Sequence, residues 1–535
     1  MRKYLSILFV LLHAALVAQQ PHINWWFDTN DASFGQPAAG DIDNDGKLEV
    51  VFGCYRNDSC VYALNAEDGT LLWKYNTHPA GAEGCNDVAP IIYDIDNDDS
   101  LEVIVPSSCN PTTFCFNGRT GVVKWQTPTR GSDSPPTIAD VDNDSKPEIL
   151  HGEFGGYVIC INGEDGSVSW EIPVDLDSWI QTAPTIVDLD NNSQLDFVVG
   201  TWNAADYDSN KVYAYRGDNH ALLWKYPIRD VMYHGFAVSD LDYDGKPELV
   251  VGSYNDTLYC INGDNGTTCW KYAYSSGYYT GAPASIADID NDDTCEVVFV
   301  SWYVVGALSS SGKHKWHYNI PGYEQAFRGA ALADINNNSY LDVIFGTDGG
   351  KVIALNGNNG SLIWTIDLAA DYGNSLFEFD NAPLIADFNN DDTLDVFIVG
   401  GHAEYPNFQN DFGRAYMITA GNGNGPDWLM FQKNIFRNSS LCADTTSDIP
   451  TYELPENGVA VYPNPASSFI FVKSAGKIQE AYLIDILGKK YSCSIEQNNN
   501  EEQIIRFDKM KDGIYFLDAR NKESERMIRK IIIIN

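Results

Sequence analysis

DIDNDGKLEVVFG, residues 41–53, is the stretch that decides the fold of this chain, because seven later stretches repeat it. Each copy has Asp at its first position, Asp or Asn at its third and fifth, and Glu or Asp at its ninth, followed by a short apolar run. The copies begin at Asp41, Asp94, Asp140, Asp188, Asp240, Asp288, Asp334 and Asp387. Their spacing of 46 to 53 residues is typical of one β-propeller blade.

Each repeat also predicts a hairpin whose second strand carries a Trp. In the first repeat, residues 61–64 and 71–75 flank a turn at residues 65–69, and a short apolar strand such as residues 183–187 leads into the next acidic loop. The hairpin Trp residues are Trp73, Trp125, Trp170, Trp224, Trp270, Trp316 and Trp364, with a variant at Trp428. A Trp at one fixed place per repeat is expected to pack between neighbouring blades.

Eight repeats of four strands predict an all-β protein with an eight-bladed β-propeller, because a closed ring leaves no long sheet edge exposed. A seven-bladed ring with one odd unit is the alternative. Residues 24–27 read NWWF and look like a Trp strand with no blade before it. We expect this N-terminal strand to lie in or beside the final blade.

Two propeller families share these motifs over about residues 22–440. The acidic loop followed by an apolar run and Gly resembles the FG-GAP repeat of integrin-α-type propellers. The Gly-x-x-x-Trp hairpins, residues 69–73, 121–125 and 166–170, resemble the repeat of pyrroloquinoline-quinone-type propellers. The resemblance implies a propeller but no bound quinone, since the sequence has no pair of adjacent cysteines.

The spacing of oxygen ligands in the acidic loops predicts structural Ca²⁺. Carboxylates at positions 1, 3, 5 and 9, with the backbone carbonyl of position 7, form an oxygen cage of the EF-hand kind, which suits Ca²⁺ better than Mg²⁺. Five cages are complete: Asp41, Asp43, Asp45 and Glu49; Asp94, Asp96, Asp98 and Glu102; Asp140, Asp142, Asp144 and Glu148; Asp240, Asp242, Asp244 and Glu248; Asp288, Asp290, Asp292 and Glu296. Three contain Asn: Asp188, Asp190, Asn192 and Asp196; Asp387, Asn389, Asp391 and Asp395; and Asp334, Asn336, Asn338 and Asp342, expected to bind most weakly.

The alternative for these loops is that they are only good turns, because Asp and Asn side chains bond their own backbone. Eight copies with an acidic ninth residue favour the metal hypothesis. The sixth position is Gly only at Gly46 and Gly245, and the other loops should be more strained there.

The formal net charge of −40 excludes some partners. Acidic residues exceed basic ones in the repeats, whereas residues 452–535 are balanced. Such a surface repels nucleic acid and anionic membranes. It also repels itself, which is a further argument for bound cations.

The acidic loops and the hairpin turns are expected to share one face of the ring. Aromatic side chains in the loops of the opposite face predict ligand binding there. These loops differ in length between repeats, and their aromatic and polar groups suit the apolar faces and hydroxyls of sugars. The candidate ligand residues are Trp179, Trp202, Tyr233, His234, Tyr278, Tyr279, Trp302 and Arg328. The favoured function is glycan or protein binding in adhesion or recognition.

The alternative function is a calcium-dependent polysaccharide lyase or hydrolase on the same ring. His234 with Asp230, or Arg328 with Glu324, are the candidate acid/base or charge-stabilising pairs. No hydrolase, metalloprotease or phosphate-loop motif assigns catalytic residues.

Both ends of the chain indicate export. Residues 1–18 read as a signal peptide, and no later segment has about 18 uninterrupted apolar residues, so no transmembrane segment is expected. After a polar linker at residues 441–454, residues 455–535 resemble the C-terminal sorting domain of the type IX secretion system. The resemblance implies a small Ig-like β-sandwich, contact with the secretion machinery, and a secreted or outer-membrane cell-surface protein that has passed through the periplasm.

Eleven cysteines fit an oxidising compartment. Their spacing within the repeats predicts three disulfides, Cys54–Cys60, Cys109–Cys115 and Cys260–Cys269. Free, buried thiols are the alternative.

Overall fold

The structure is a computed structural model of the full chain. It describes residues 20–78, 84–98, 100–274, 279–404 and 406–442, and, nearer the C-terminus, 460–462, 469–473, 477–485, 489–497, 502–507, 510–511, 513–521 and 526–533. The predicted signal peptide and most of the predicted linker lie outside these residues. The chain divides into two compact units, Met1–Ser447 and Asp448–Asn535.

The first unit contains eight four-stranded antiparallel sheets, which confirms the eight-bladed prediction and excludes the seven-bladed alternative. Blades are numbered here by their acidic loops, and strands are given from the inside of the ring outwards. Blades 1 to 4 are Ala38–Gly40, Glu49–Gly53, Cys60–Asn65, Leu71–Asn76; Ile91–Tyr93, Glu102–Ser107, Thr112–Asn117, Val123–Pro128; Thr137–Ala139, Glu148–Gly152, Tyr157–Asn162, Val168–Pro173; and Thr185–Val187, Asp196–Trp202, Lys211–Arg216, Leu222–Pro227, where Trp179–Ile180 adds a short strand.

Blades 5 to 8 repeat the same order, and the last one is closed by the N-terminus. They are Ala237–Ser239, Glu248–Ser253, Thr257–Asn262, Thr268–Ala273; Ser285–Ala287, Glu296–Ser301, Val304–Ser309, His314–Asn319; Ala331–Ala333, Asp342–Gly346, Lys351–Leu355, Leu362–Asp367; and Leu384–Ala386, Leu394–His402, Phe412–Gly421, His22–Thr29. One α-helix, Leu368–Tyr372, and two 3-10 turns, Pro321–Tyr323 and Phe408–Asn410, lie in connections.

The N-terminal strand His22–Thr29 pairs antiparallel with Phe412–Gly421 of the final blade, as predicted from the sequence of residues 24–27. The outer strand of blade 8 therefore comes from the start of the chain and the other three from its end. Hydrogen bonds between these two strands therefore join the two ends of the ring.

The hairpin Trp residues join neighbouring blades, as expected. In six blades the indole N–H donates to a carbonyl in the strand-three to strand-four turn of the next blade. The pairs are Trp25 to Ala66, Trp73 to Gly118, Trp125 to Gly163, Trp224 to Gly263, Trp270 to Ser310 and Trp316 to Gly357, at 2.5 to 2.8 Å. Trp364 has no partner for its buried Nε1 among the described residues, because blade 8 has no such turn.

The prediction that Trp428 lies in a blade strand is wrong, because Trp25 takes that place. Residues 425–442, here called the central segment, instead cross the middle of the ring. The inner strand of each blade has an unpaired edge that faces the middle of the ring. In seven blades a backbone N–H at this edge donates to a carbonyl of the central segment. The donor and acceptor residues are Ala39 and Leu429, Ile138 and Ile435, Ile186 and Phe436, Val238 and Asn438, Ile286 and Ser439, Asp334 and Gly425, and Ile385 and Trp428.

Arg437 fixes the central segment to the remaining blade. Its side chain is 0% exposed, and its guanidinium donates to the carbonyls of Pro90, Pro136 and Phe431. Burial among neutral groups lowers the pKa of Arg437 to about 9, because the charged form loses its hydration.

The disulfides differ from all three predicted pairs. The structure pairs Cys85 with Cys109 and Cys295 with Cys442, and leaves Cys54, Cys60, Cys115, Cys260 and Cys269 as thiols. Cys295–Cys442 ties the end of the central segment to the acidic loop of blade 6. Spacing within a repeat could not show these pairs, because both join residues of different connections.

The second unit contains two four-stranded antiparallel sheets. One is Ala460–Tyr462, Phe469–Lys473, Glu502–Arg506 and Ser494–Gln497, and the other is Lys490–Ser492, Ile478–Asp485, Gly513–Asn521 and Arg526–Ile533. Ile470, Val472 and Ile505 of the first sheet share a buried cluster with Leu483 and Leu517 of the second. This packing of two sheets agrees with the predicted small β-sandwich.

Candidate functional site

The acidic loops turn through their first residue. In blade 1, Asp41 Oδ1 accepts from the backbone N–H of Asp45 at 3.0 Å, and Oδ2 accepts from Gly46 at 3.0 Å. The sixth residue has a positive φ in the acidic loops where the structure describes it. The angle is 89° at Gly46 and at Gly245, and 63–70° at Ser145, Ser193, Asp293, Ser339 and Asp392. The predicted strain at non-Gly sixth residues thus has a backbone basis. Loop hydrogen bonds also engage the third and fifth carboxylates: the N–H of Asp45 donates to Asp43 at 3.1 Å, and that of Lys47 donates to Asp45 at 2.9 Å.

The ninth carboxylate of each loop is buried beneath the turn. These side chains, Glu49, Glu102, Glu148, Asp196, Glu248, Glu296, Asp342 and Asp395, are 0–2% exposed. In seven blades one of their oxygens accepts the backbone N–H of the second loop residue, for example Ile42 to Glu49 at 2.9 Å. Burial raises the pKa of Glu49, Glu148 and Glu248 to about 8, because an unneutralised carboxylate loses its hydration.

Several oxygens of the loops lack a hydrogen-bond partner among the described residues although they are buried. They are Oδ1 of Asp96, Asp190, Asp196, Asp290, Asp342 and Asn389, and Oδ2 of Asp395. Buried polar atoms are normally satisfied, so these atoms indicate a missing partner. They are acceptors only, so that partner is a donor or a cation.

The remaining ligands converge closely enough for one cation. Within single loops, one carboxylate oxygen from each of three or four side chains lies within 4.8 Å of the others. The groups include Asp41, Asp43 and Asp45; Asp94, Asp96 and Glu102; Asp140, Asp142 and Glu148; Asp188, Asp190 and Asp196; and Asp288, Asp290, Asp292 and Glu296. Oxygens on opposite sides of one Ca²⁺ are about 5 Å apart. The residues present therefore fit a hard metal ion such as Ca²⁺.

In two blades a lysine enters the cage. Lys124 Nζ lies 2.6 Å from Asp96 and 3.0 Å from Glu102. Lys315 Nζ lies 2.6 Å from Asp290 and 2.8 Å from Glu296. Both lysines directly precede the hairpin Trp, a position that is apolar or uncharged in the other repeats. Each ammonium supplies part of the positive charge that a cation would supply.

A second site lies at the other face, where the connections between blades meet around the channel. A cavity of about 140 Å³ opens there, and its wall includes Tyr233, Tyr254, Tyr279, Trp302 and Arg328. The rings of Tyr254 and Tyr279 are 4.7 Å apart, and those of Tyr279 and Trp302 are 4.0 Å apart. Five of the predicted ligand residues, Tyr233, His234, Tyr279, Trp302 and Arg328, therefore share one cavity, and Tyr254 also lies in its wall.

His234 lies deep in this cavity, whereas Trp202 and Trp179 are not in its wall. His234 is 3% exposed at the base of the cavity, where burial and Arg328 lower its pKa, so it is neutral. Trp202 supports the wall through Tyr233, at 5.3 Å between rings. Trp179 stacks on Phe154 and is 46% exposed, outside the cavity. Tyr278 lies outside the described residues.

The two predicted acid/base pairs are wrong. Glu324 forms an ion pair with Lys351, whereas Arg328 donates to the carbonyl of Asp87 at 3.5 Å. Asp230 accepts from the N–H of Val231. These partners replace the pairs that nearness in sequence predicted.

Sequence reasoning missed three carboxylates around Arg328, those of Asp87, Asp133 and Asp380. Burial raises the pKa of Asp133 to about 7, with a contribution from Asp87, and that of Asp380 to about 6. All three stand seven positions before the first Asp of an acidic loop. This position before each acidic loop is constant in spacing but varies in residue type. It is the sequence signal that could have identified these carboxylates.

Comparisons with known proteins agree with this architecture. The model described as "FG-GAP-like repeat" matches residues 41–105, "Outer membrane protein assembly factor BamB" matches residues 208–428, and "Secretion system C-terminal sorting domain" matches residues 460–534. The chain therefore contains an FG-GAP-like repeat, a BamB-like propeller region and a C-terminal secretion sorting domain. That domain directs it to the type IX secretion machinery, so the protein is exported to the cell surface or the medium.

Solved structures show the same fold at low identity. The V. cholerae biofilm matrix protein Bap1 has a TM-score of 0.54 and 14% identity, over 77% of this chain and 94% of that one. Quinohemoprotein alcohol dehydrogenase from Comamonas testosteroni has a TM-score of 0.54 and 13% identity, over 78% and 79%. Among curated proteins no relative matches this chain. No helix in the described part of the chain is long and apolar enough to cross a membrane.

Proposed function

We propose that this protein is a secreted or cell-surface propeller that is stabilised by Ca²⁺ and binds glycans through the cavity opposite the acidic loops. The observation that carries the binding proposal is the aromatic wall of Tyr233, Tyr254, Tyr279 and Trp302 beside Arg328 and Asp380. Aromatic faces stack on the apolar faces of sugars, and the two charged groups donate and accept hydrogen bonds with hydroxyls.

Calcium would hold the rigid side of the ring. The unpaired, buried oxygens of the acidic loops support this role, because an ion would satisfy them and neutralise several carboxylates at once. The cages lie at the opposite end of the strands from the cavity, so the metal would act on stability rather than on the ligand directly.

Export supports a function outside the cell. Bap1, one of the similar folds, is a biofilm matrix protein, and a glycan-binding role in an extracellular matrix would suit the present chain. Protein ligands at the same face are the other form of this recognition function.

A polysaccharide-degrading enzyme is the second candidate. It is favoured by Asp380 in the cavity wall and by Asp133 near Arg328, because burial raises the pKa of these carboxyls to about 6 and about 7. Such a pair is what acid/base cleavage of a glycosidic bond requires.

A glycan array with and without Ca²⁺, followed by product analysis of every hit, tests both candidates. Binding without new chain ends supports recognition, and new reducing or unsaturated ends support the enzyme. Trp302→Ala should abolish either activity, whereas Trp179→Ala should leave it unchanged because Trp179 lies outside the cavity. If no glycan binds the wild-type protein, the proposed function is wrong.

A further inference from the structure

One register of the repeat surrounds the channel mouth. The residues seven positions before the first Asp of the acidic loops, here called the mouth ring, are Phe34, Asp87, Asp133, Gln181, Tyr233, Gly281, Phe327 and Asp380. The inner strands that follow are uniformly short and buried. A position that is constant in place and varied in chemistry makes the mouth asymmetric around an otherwise regular ring.

Gly281 opens space in this ring. A Cβ at Gly281 would stand 2.1 Å from Cε1 of Tyr254, so any side chain would displace the ring that lines the cavity. Its φ is not in the left-handed region, so a larger residue would be excluded by this contact rather than by backbone strain. The cavity therefore depends on a missing side chain at one blade of the mouth ring.

The channel below the mouth is closed by the central segment. Phe431 lies 6.0 Å from the His234 ring, and Gln432 donates from Nε2 to the carbonyl of Phe236 at 2.8 Å. Further down, carbonyls of the same segment bond seven inner strands. A ligand can thus enter the mouth but cannot pass through the ring.

Two buried amide oxygens at the mouth have no hydrogen-bond partner among the described residues. Gln181 Oε1 belongs to the mouth ring, with its residue 4% exposed, and Gln432 Oε1 belongs to the floor, with its residue 3% exposed. The amide nitrogen of Gln181 is already engaged by Asp133 at 2.9 Å. Neither glutamine lines the cavity, and the polar groups that face a ligand there include those of Arg328 and Asp380.

The charge of the mouth selects against anions. Asp87, Asp133 and Asp380 face one guanidinium, that of Arg328, which also lies over the Tyr233 ring at 5.5 Å. Three carboxylates around one cation, on a chain of net charge −40, repel uronic acids and sulfated sugars.

We propose that the mouth ring receives the terminal sugar of a neutral glycan chain end-on. The terminal ring stacks in the aromatic cavity, its hydroxyls reach Arg328 and Asp380, and the central segment closes the channel below. Only a chain end or a branch tip fits a blind cavity of this size. This inference rests on the proposed glycan-binding function and adds the mode of binding and the charge of the ligand.

Binding of chain-length series to the full-length protein in Ca²⁺ tests the inference. The probes are cello-, manno-, xylo- and malto-oligosaccharides of two to six units, with oligogalacturonides as the anionic series. We expect at least one neutral series to bind with an affinity that stops rising by about three units, since only the end is held. Gly281→Ala and Trp302→Ala should weaken binding at least tenfold, and Trp179→Ala should not change it. Thermal melts of all three variants show whether they are folded.

The outcomes separate the two proposals. An affinity that still rises from three to six units shows side-on binding and overturns the end-on inference, while the glycan-binding function stands if Trp302→Ala abolishes it. Oligogalacturonide binding that exceeds neutral binding overturns the inference about charge. Failure of every series to bind overturns the inference and the proposed function together.

Discussion

At the scale of single residues, a glycine in six of the hairpin turns lets the Trp of the preceding blade dock, and His220 takes its place against Trp170. Gly121 has φ of 66°, and a Cβ there would stand 2.6 Å from Cδ2 of Trp73. Gly121→Ala should lower the free energy of unfolding by about 2–4 kcal/mol, from backbone strain and lost packing between blades 1 and 2. Urea denaturation of the full chain measures the change.

Gly373→Ala is the matched control for Gly121→Ala. Gly373 has φ of 82°, and a Cβ there would meet nothing within 4 Å. It carries the backbone strain without the clash, so its loss should be only about 1–2 kcal/mol. Equal losses in the two variants would contradict the docking account.

Lys124 and Lys315 distinguish the acidic loops of blades 2 and 6, because each contacts the ninth carboxylate of its loop. A cation in either cage has to displace an ammonium that already contacts the ninth carboxylate. Lys124→Met with Lys315→Met should therefore tighten Ca²⁺ binding at these two loops, and isothermal titration calorimetry of metal-free protein should detect it. Lys47→Met is the control, since Lys47 pairs with Glu67 of the hairpin turn. Unchanged or weaker binding in the double variant would show that the lysines do not compete with metal.

At the scale of elements, the central segment is the part that the sequence did not indicate. Trp428 looked like an eighth hairpin Trp because its local pattern is that of a strand, yet the N-terminal strand already filled that edge of blade 8. Hydrogen bonds from seven blades hold the segment, and each of them is a long-range contact with no local sequence pattern. The disulfides were missed for the same reason.

The Cys295–Cys442 disulfide should contribute much of the stability of this segment. It closes a sequence separation of 147 residues, and loss of a native disulfide commonly costs about 2–5 kcal/mol. Cys295→Ser with Cys442→Ser should lower the unfolding free energy by that amount in denaturant titrations. Cys493→Ser, in the separate C-terminal unit, should leave the propeller transition in place. An unchanged transition in the double variant would mean that the segment is held by hydrogen bonds alone.

At the scale of the whole molecule, the repeat pattern predicts the ring. It predicts the face with the acidic loops better than the face with the cavity. Acidic loops, blade count and closure by the N-terminal strand follow from periodicity, since each depends on local spacing. The mouth does not, because Asp87, Asp133 and Asp380 come together around Arg328 only in the closed ring, where Arg328 before blade 7 donates to Asp87 before blade 2. The aromatic residues Tyr233, Tyr279 and Trp302 of the cavity were predictable because they stand out in polar connections, whereas Trp179 has the same sequence context and lies elsewhere.

The buried ninth carboxylates make the stability of the metal-free ring depend on pH. Burial raises the pKa of Glu49, Glu148 and Glu248 to about 8 in the folded state, against the ordinary value of 4.5 for a glutamate. Between these values the unfolded chain releases protons that the folded chain retains, so metal-free stability falls as pH rises from about 4.5 to about 8. Ca²⁺ binds the ionised form, so its stabilisation should be greatest at pH 8 and should shrink towards pH 5.

Thermal melts of metal-free protein at pH 5.5, 7 and 8.5, with and without added Ca²⁺, check this dependence. Glu49→Gln should flatten the metal-free profile, because it removes one titrating group. A melting temperature of the metal-free protein that rises with pH would contradict the assignment of these carboxylates as unneutralised buried acids.

The most direct test of the central claim is a calcium titration of the metal-free full-length chain at pH 8, with bound ions counted and the melting temperature followed together. The account predicts that several ions bind per chain and that the melting temperature rises as they do, since each independent site adds about 2.7 kcal/mol when free Ca²⁺ is 100 times its dissociation constant. Absence of bound calcium, with the same melting temperature in chelator and in millimolar Ca²⁺, would contradict it.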